Sequence, residues 1–129
     1  MRNIIQTDKA PQAIGPYSQA IETAGTVYIS GQIPLNPETG EMAESITEQT
    51  EQVMKNLTAI LDEAGLSFDQ VVKTTIFLTS LDDFAAVNEV YGRHLSEPYP
   101  ARATVEISKL PKGANVEIEA VAVRSFNML

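Results

Sequence analysis

The chain has no cysteine among its 129 residues, which excludes a disulfide, a thiolate nucleophile and any cysteine-ligated metal. It has one histidine, His94, so no H-x-x-x-H pair exists and a metal centre has little support. Basic residues are few: 9 Lys and Arg stand against 17 Asp and Glu, for a net charge of −8. The basic residues are scattered, with no run to meet a phosphate backbone, which disfavours nucleic-acid binding. The acidity serves solubility. No apolar run approaches the ~20 residues that cross a bilayer, so no membrane association is expected. The opening MRNIIQTDKAPQ lacks the apolar core of a secretory signal, and with the missing cysteine this fits the cytoplasm. Neither GxGxxG nor GxxxxGKS occurs, which leaves a nucleotide cofactor without support. Repeats, low-complexity segments and linkers are also missing, so residues 1–129 read as one domain. Its 43% hydrophobic and 20% charged residues are ordinary globular composition.

What is present gives a readable order of elements. Residues 19–30 form a predicted hairpin, with Ala24 and Gly25 as the turn and VYIS as its second strand. Gly31, Pro34, Asn36, Pro37 and Gly40 then break regular structure, so residues 31–43 are expected as a loop. Ser45 and Glu48 fit a capping box. Ile46, Val53, Leu57, Ile60, Leu61 and Ala64 follow at helical spacing up to a stop at Gly65, with Glu44, Glu48, Glu51 and Lys55 on the wet side. VVKTTIFLT, residues 71–79, reads as a strand. A second helix begins near residues 80–83, carries Phe84, Val87, Tyr91 and Leu95 on one stripe, and ends before Pro98 and Pro100. Residues 102–109 and 116–124 alternate on either side of LPKGAN and are expected to pair as a closing hairpin. The order predicts an α+β fold, a mixed sheet with two helices on one face. Ala103, Val105, Ile107, Val116, Ile118, Ala120 and Ala122 should lie beneath the helices. The opposite face would mix Arg102, Thr104, Glu106, Ser108, Glu117 and Glu119 with Val121 and Val123. That face is too apolar for solvent and too charged for a core, and is inferred to meet another subunit.

Several residues offer chemistry. Arg102, in PARATVEI, presents a planar fork of donors that matches a carboxylate; a solvated or paired surface arginine is the ordinary alternative. Glu117 and Glu119 share a strand face, and a carboxylate beside a pocket can orient or deprotonate water; a polar strand face is again the ordinary alternative. In the expected hairpin Arg102 and Glu117 stand about six residues apart along the ladder, roughly 20 Å. A ligand touching both would therefore lie between subunits. Asn88 falls on the apolar stripe of the second helix, where a buried amide needs partners. His94 reads as a cation at a helix C-terminus. Gly15 and Pro16 set a turn that exposes Tyr17, and Ser30 and Gly31 end a strand where glycine permits close approach.

AIGPYSQA, YISGQIP, VNEVYG, PARATVEI and LPKGANVEIEAVA together resemble the Rid (RidA, formerly YjgF) family of imine deaminases, from Lys9 to Val123. The resemblance implies a chorismate-mutase-like α+β fold, a homotrimer with sites between subunits, and no cofactor. It implies hydrolysis of small 2-imino acids, formed from enamines released by pyridoxal-phosphate-dependent dehydratases, to 2-keto acids and ammonia. By that resemblance Arg102 grips the substrate carboxylate and Glu117 positions water. Tyr17, Ser30, Gly31 and Asn88 match pocket positions. Thr104 stands where many relatives carry cysteine, so a thiol role is impossible while its backbone can still contribute. The alternative is a non-catalytic module that binds a small carboxylate and regulates a partner.

Overall fold

The computed structural model describes residues 1–124. Six strands form one mixed sheet: β1 (Asn3–Ile5), β2 (Ala20–Thr23), β3 (Thr26–Gln32), β4 (Val71–Leu78), β5 (Ala101–Glu106) and β6 (Val116–Val123). Their order across the sheet is β1-β2-β3-β6-β4-β5. Two helices, α1 (Ile46–Glu63) and α2 (Phe84–Arg93), pack against one face. The predicted α+β arrangement is therefore the observed one. Among the described residues no helix is long and apolar enough to cross a membrane.

Local chemistry accounts for the elements. Ala24 (φ 50°) and Gly25 (φ 81°) both take positive φ in the two-residue turn between β2 and β3. That matches the turn which follows the twist of paired strands. Ser45 caps α1 by accepting the Glu48 amide at 3.1 Å. Val53, Met54, Leu57, Ile60 and Leu61 of α1 are buried, as are Val87, Val90 and Tyr91 of α2. They close over Val27, Ile29, Ile76, Leu78, Val116, Ile118, Ala120 and Ala122 of the sheet. A bidentate pair from Arg124 to Glu22, at 2.7 and 2.8 Å, ties the end of β6 to β2. The Arg124 guanidinium holds the Glu22 carboxyl below its ordinary range. His94 caps α2 and contacts Glu51 of α1 at 2.8 Å, beside an Arg93–Glu51 ion pair. This bridges two helices, in keeping with a structural histidine.

The expected closing hairpin does not form. β5 pairs in parallel with β4, from Lys73↔Ala101 to Leu78↔Glu106, and β4 separates it from β6. The cause is connectivity. A strand, a helix and another strand in succession place the two strands side by side and parallel, because the helix carries the chain back along the sheet. β4, α2 and β5 are such a unit. β6 then enters antiparallel between β3 and β4.

The faces of β5 are inverted as well. Arg102 is level with Thr74, and Thr104 with Ile76, both buried under the helices. Ala103 is level with Thr75 and Val105 with Phe77, on the open side. Thus Arg102, Thr104 and Glu106 point toward α2, while Ala103 and Val105 are exposed. β6 follows expectation: Val116, Ile118, Ala120 and Ala122 are buried, and Glu117, Glu119 and Val121 face the open side.

Candidate functional site

On the open face, Glu117 of β6 lies across the end of β3. The ladder between these strands breaks between Ile29 and Gln32, where Ser30 and Gly31 sit. The Glu117 carboxylate rests on Gly31 so closely that a Cβ there would overlap its oxygen. This is the close approach glycine permits. Burial raises the Glu117 carboxyl above its ordinary 4.5, and the like charge of Glu119 raises it further. The result is a half-buried carboxyl, more basic than a solvated one.

Around it opens a cleft of about 700 Å³ with Tyr17, Ser30, Gly31, Ile33, Leu35, Lys112 and Glu117 among its walls. Tyr17 follows the Gly15–Pro16 turn, where its amide donates to the Gly15 carbonyl at 2.9 Å, and its ring is 56% exposed. Ser30 lines the cleft, but its hydroxyl already donates to the Ser18 carbonyl at 2.6 Å. Gln19 is 3% exposed, and its amide donates to the Thr7 carbonyl at 3.0 Å and the Pro11 carbonyl at 2.8 Å. It thereby pins the segment that supplies Pro11 and Gln12 to the cleft.

Arg102 occupies a different place, on the outer strand and the helix side. Its Nη1 donates to Asn88 Oδ1 at 2.7 Å, and its guanidinium carbon stands 5.5 Å from the Phe84 ring and 5.2 Å from the Tyr91 ring. Such contacts orient a cation without neutralising it. Arg102 has no carboxylate partner among the described residues. It lines a cleft of about 490 Å³ with Asn88, Tyr91, Gly92, Leu95, Tyr99 and Pro100. The buried Tyr91 hydroxyl shares a 2.7 Å hydrogen bond with Thr74, and burial raises its pKa. A neutral phenol thus backs the cation.

Asn88 is exposed and braces Arg102, which corrects the expectation of a buried amide. The hairpin estimate of the distance from Arg102 to Glu117 also needs correction. Measured through β4, where Thr74 meets Arg102 and Phe77 meets Glu117, they are offset by roughly 10 Å along the strands and 10 Å across. They also point to opposite faces of the sheet. Thr104 lies on the Arg102 side, its buried Oγ1 without a hydrogen-bond partner. Sequence reading did not single out Phe84 and Tyr91 as ring supports for Arg102, though both fell on the predicted stripe of α2. It also passed over the buried amides of α1, Gln49 and Asn56, which share the stripe of Val53 and Leu57 and were legible by that spacing.

Residues 7–124 match the family described as endoribonuclease L-PSP. The mouse protein named 2-iminobutanoate/2-iminopropanoate deaminase is 47% identical over 125 residues, covering 96% of this chain and 93% of its own. A crystal structure of RidA from the Antarctic bacterium Psychrobacter sp. PAMC 21119 superimposes with a TM-score of 0.91 at 54% identity, over 94% of this chain and 98% of that one. E. coli TdcF, solved with bound serine, gives a TM-score of 0.91 at 45% identity, over 95% and 99% of the two chains. By sequence and by fold, over nearly its whole described length, the chain belongs to the endoribonuclease L-PSP (RidA/YjgF) family.

Proposed function

We propose that the protein hydrolyses 2-imino acids to 2-keto acids and ammonia, with 2-iminobutanoate and 2-iminopropanoate as its substrates. The observation that carries this reading is a pair of half-sites. Arg102 is a guanidinium held by Asn88 and two aromatic rings with no acid opposite it. Glu117 is a half-buried carboxyl of raised pKa at the floor of a cleft. They face opposite sides of one sheet, so one chain cannot apply both to one small molecule. A homotrimer that sets the β5 edge of one subunit against the Glu117 cleft of the next unites them. The open face, with Tyr28, Val105 and Val123 exposed, supports such an assembly.

The chemistry needs little more. Arg102 binds the carboxylate bidentately and fixes the imine carbon. Glu117 accepts a proton from water as its oxygen adds to the carbon of the protonated imine, returns that proton to the amino nitrogen, and takes the remaining hydroxyl proton as the carbonyl forms and ammonia leaves. Tyr17 walls the pocket, and the backbone at Ser30, Gly31 and Thr104 supplies polar contacts. The name of the mouse relative agrees with this activity. The serine held by E. coli TdcF agrees with a site for small amino-acid-like carboxylates, and it also favours a second reading, a binding module without turnover. RNA cleavage, which the family description implies, fits poorly with a charge of −8 and a sole histidine bound to Glu51.

The test is a threonine dehydratase that releases the enamine, with semicarbazide competing for the imine and semicarbazone followed by absorbance. Wild-type protein is expected to suppress the signal. Arg102→Ala is expected to lose about 10²-fold in kcat/KM, the scale of a lost charge-assisted bidentate contact. Suppression by the alanine variant at the wild-type rate sinks the reading. Carboxylate binding without turnover by wild type replaces it with the binding module.

A further inference from the structure

The wall of the Glu117 cleft is built unusually. Ile33 and Leu35 line the cleft, while the intervening Pro34 and the following Asn36 line a second cavity of about 500 Å³ between residues 34–43 and α1. Pro34 is buried, but beyond it the cavity leaves the rest of the segment with little packing behind it. Nor is the segment held by the sheet, because β3 ends at Gln32 after its register break. Two buried side chains of α1 hold it instead. Asn56, with no exposed surface, donates through Nδ2 to the carbonyls of Ile33 and Leu35 at 3.0 and 3.1 Å. Its Oδ1 accepts from Gln52 at 2.9 Å, which fixes the orientation of the amide. Gln49, two turns earlier and 4% exposed, donates to the Ala43 carbonyl at 2.9 Å and accepts the Asn115 amide at 3.0 Å. It therefore joins the far end of the same segment to the residue that leads into β6, two positions before Glu117.

We infer that Asn56 and Gln49 are specificity-setting positioning residues: they hold the backbone of residues 33–43, and with it the apolar wall that receives the substrate's side chain, at a fixed distance from Glu117. The polar side of the cleft, at Ser30, Gly31 and Glu117, serves the reacting group. The apolar side, at Ile33 and Leu35, is left for the alkyl chain. A side-chain amide reaches backbone carbonyls as no apolar residue of the same size can, which accounts for its place on an otherwise apolar stripe. This inference rests on the deaminase reading for its substrates, and its test separates the two.

Asn56→Leu and Gln49→Met keep the side-chain shape and remove the hydrogen bonds. Three quantities are measured for each variant and for wild type. They are hydrogen exchange of the backbone amides, the ratio of kcat/KM for 2-iminobutanoate over 2-iminopropanoate, and the ratio of affinities for 2-oxobutanoate over pyruvate by calorimetry. The expected result is faster exchange confined to residues 33–43 and to Asn115 in the glutamine variant. Both ratios are expected to fall about fourfold, the worth of one methylene contact. Loss of folded protein scales both substrates alike and leaves their ratio untouched. A folded variant whose ratios equal those of wild type overturns the inference. If Asn56→Leu does not fold, Gln49→Met and Gln52→Ala, which frees the Asn56 amide from a half-buried position, decide by the same ratios. An inactive wild type whose oxo-acid affinities still shift in the variants defeats the deaminase reading and retains the wall. Oxo-acid ratios that stay fixed in every folded variant, or no binding of either oxo acid to wild type, defeat the inference itself.

Discussion

β5 and β6 carry similar alternating sequences, yet they behave differently. β6 lies inside the sheet, bonded to β3 on one side and β4 on the other, and its pattern VEIEAVAV places apolar residues under the helices and acids outside. β5 lies at the edge, bonded only to β4. Its ARATVE places arginine and threonine on the helix side of the sheet, with the arginine still exposed, and alanine and valine on the open side. Alternation states which residues share a face, and that held in both strands. It does not state which face the helix covers when the apolar residues are small and the polar one is long. An arginine can lay its guanidinium across Phe84 and Tyr91 and still reach solvent, so its place on the helix side costs little. The edge strand is thus free to present a cation beside α2, and the central strand to present carboxylates on the far face.

The largest expected effect tests that opposition directly. Arg102→Ala and Glu117→Gln chains, each inactive alone, regain activity when refolded together in equal amounts. In a closed ring of three about a quarter of the sites then pair an intact arginine with an intact glutamate. The imine assay reads the recovery, and mixed chains as inactive as the separate variants break the two-chain site.

Gly31→Ala probes the β6 side. Its Cβ displaces the Glu117 carboxylate, and about a 10²-fold fall in kcat is expected from such misplacement, with carboxylate affinity measured by calorimetry nearly kept.

A smaller effect concerns stability. Because the folded pKa of Glu117 is raised from 4.5, the folded state holds this proton more tightly than the unfolded chain. Its ionisation therefore costs stability as pH rises above 4.5, and the cost is complete above the folded value. Glu117→Gln is expected to melt higher than wild type at neutral pH, with the advantage vanishing in acid. Equal melting temperatures across that range contradict a buried, functionally strained carboxyl.

The smallest effect belongs to β5. Thr104→Val removes a buried hydroxyl without a partner, so denaturant unfolding is expected to show a change between zero and about 1 kcal/mol in the stabilising direction. A loss of more than that shows that the hydroxyl has a partner in the assembled protein.

Much of the fold was readable in the sequence because it is local. The Ala24–Gly25 turn, the Ser45 cap and the apolar stripe of α1 each follow from neighbouring residues. The partner of β5 did not, because it depends on how a helix returns the chain. The strand–helix–strand order did contain that information, and the tight LPKGAN turn outweighed it. Of the residues expected at one site, Tyr17, Ser30, Gly31 and Glu117 line one cleft, while Arg102, Asn88 and Thr104 lie apart from them. The spacing along the chain already separated Arg102 from Glu117, but the opposite faces they occupy follow from the parallel pairing of β5, which the spacing did not give. The amides at Gln49 and Asn56 were legible as buried positions by their spacing, but the carbonyls they serve were not, because those lie in an irregular segment.

The position of β6 also bears on how the chain is made. Among the described residues the last strand in sequence is the one that joins the two halves of the sheet. A nascent chain that stops short of Val116 has β1, β2 and β3 on one side and β4 and β5 on the other, with nothing between them. β3 and β4 then each present an open edge of unpaired amides and carbonyls, the kind of surface that recruits other strands. The sheet can close only once β6 has been made, in one cooperative step, and a chain released before β6 is suited to aggregation and to capture by chaperones.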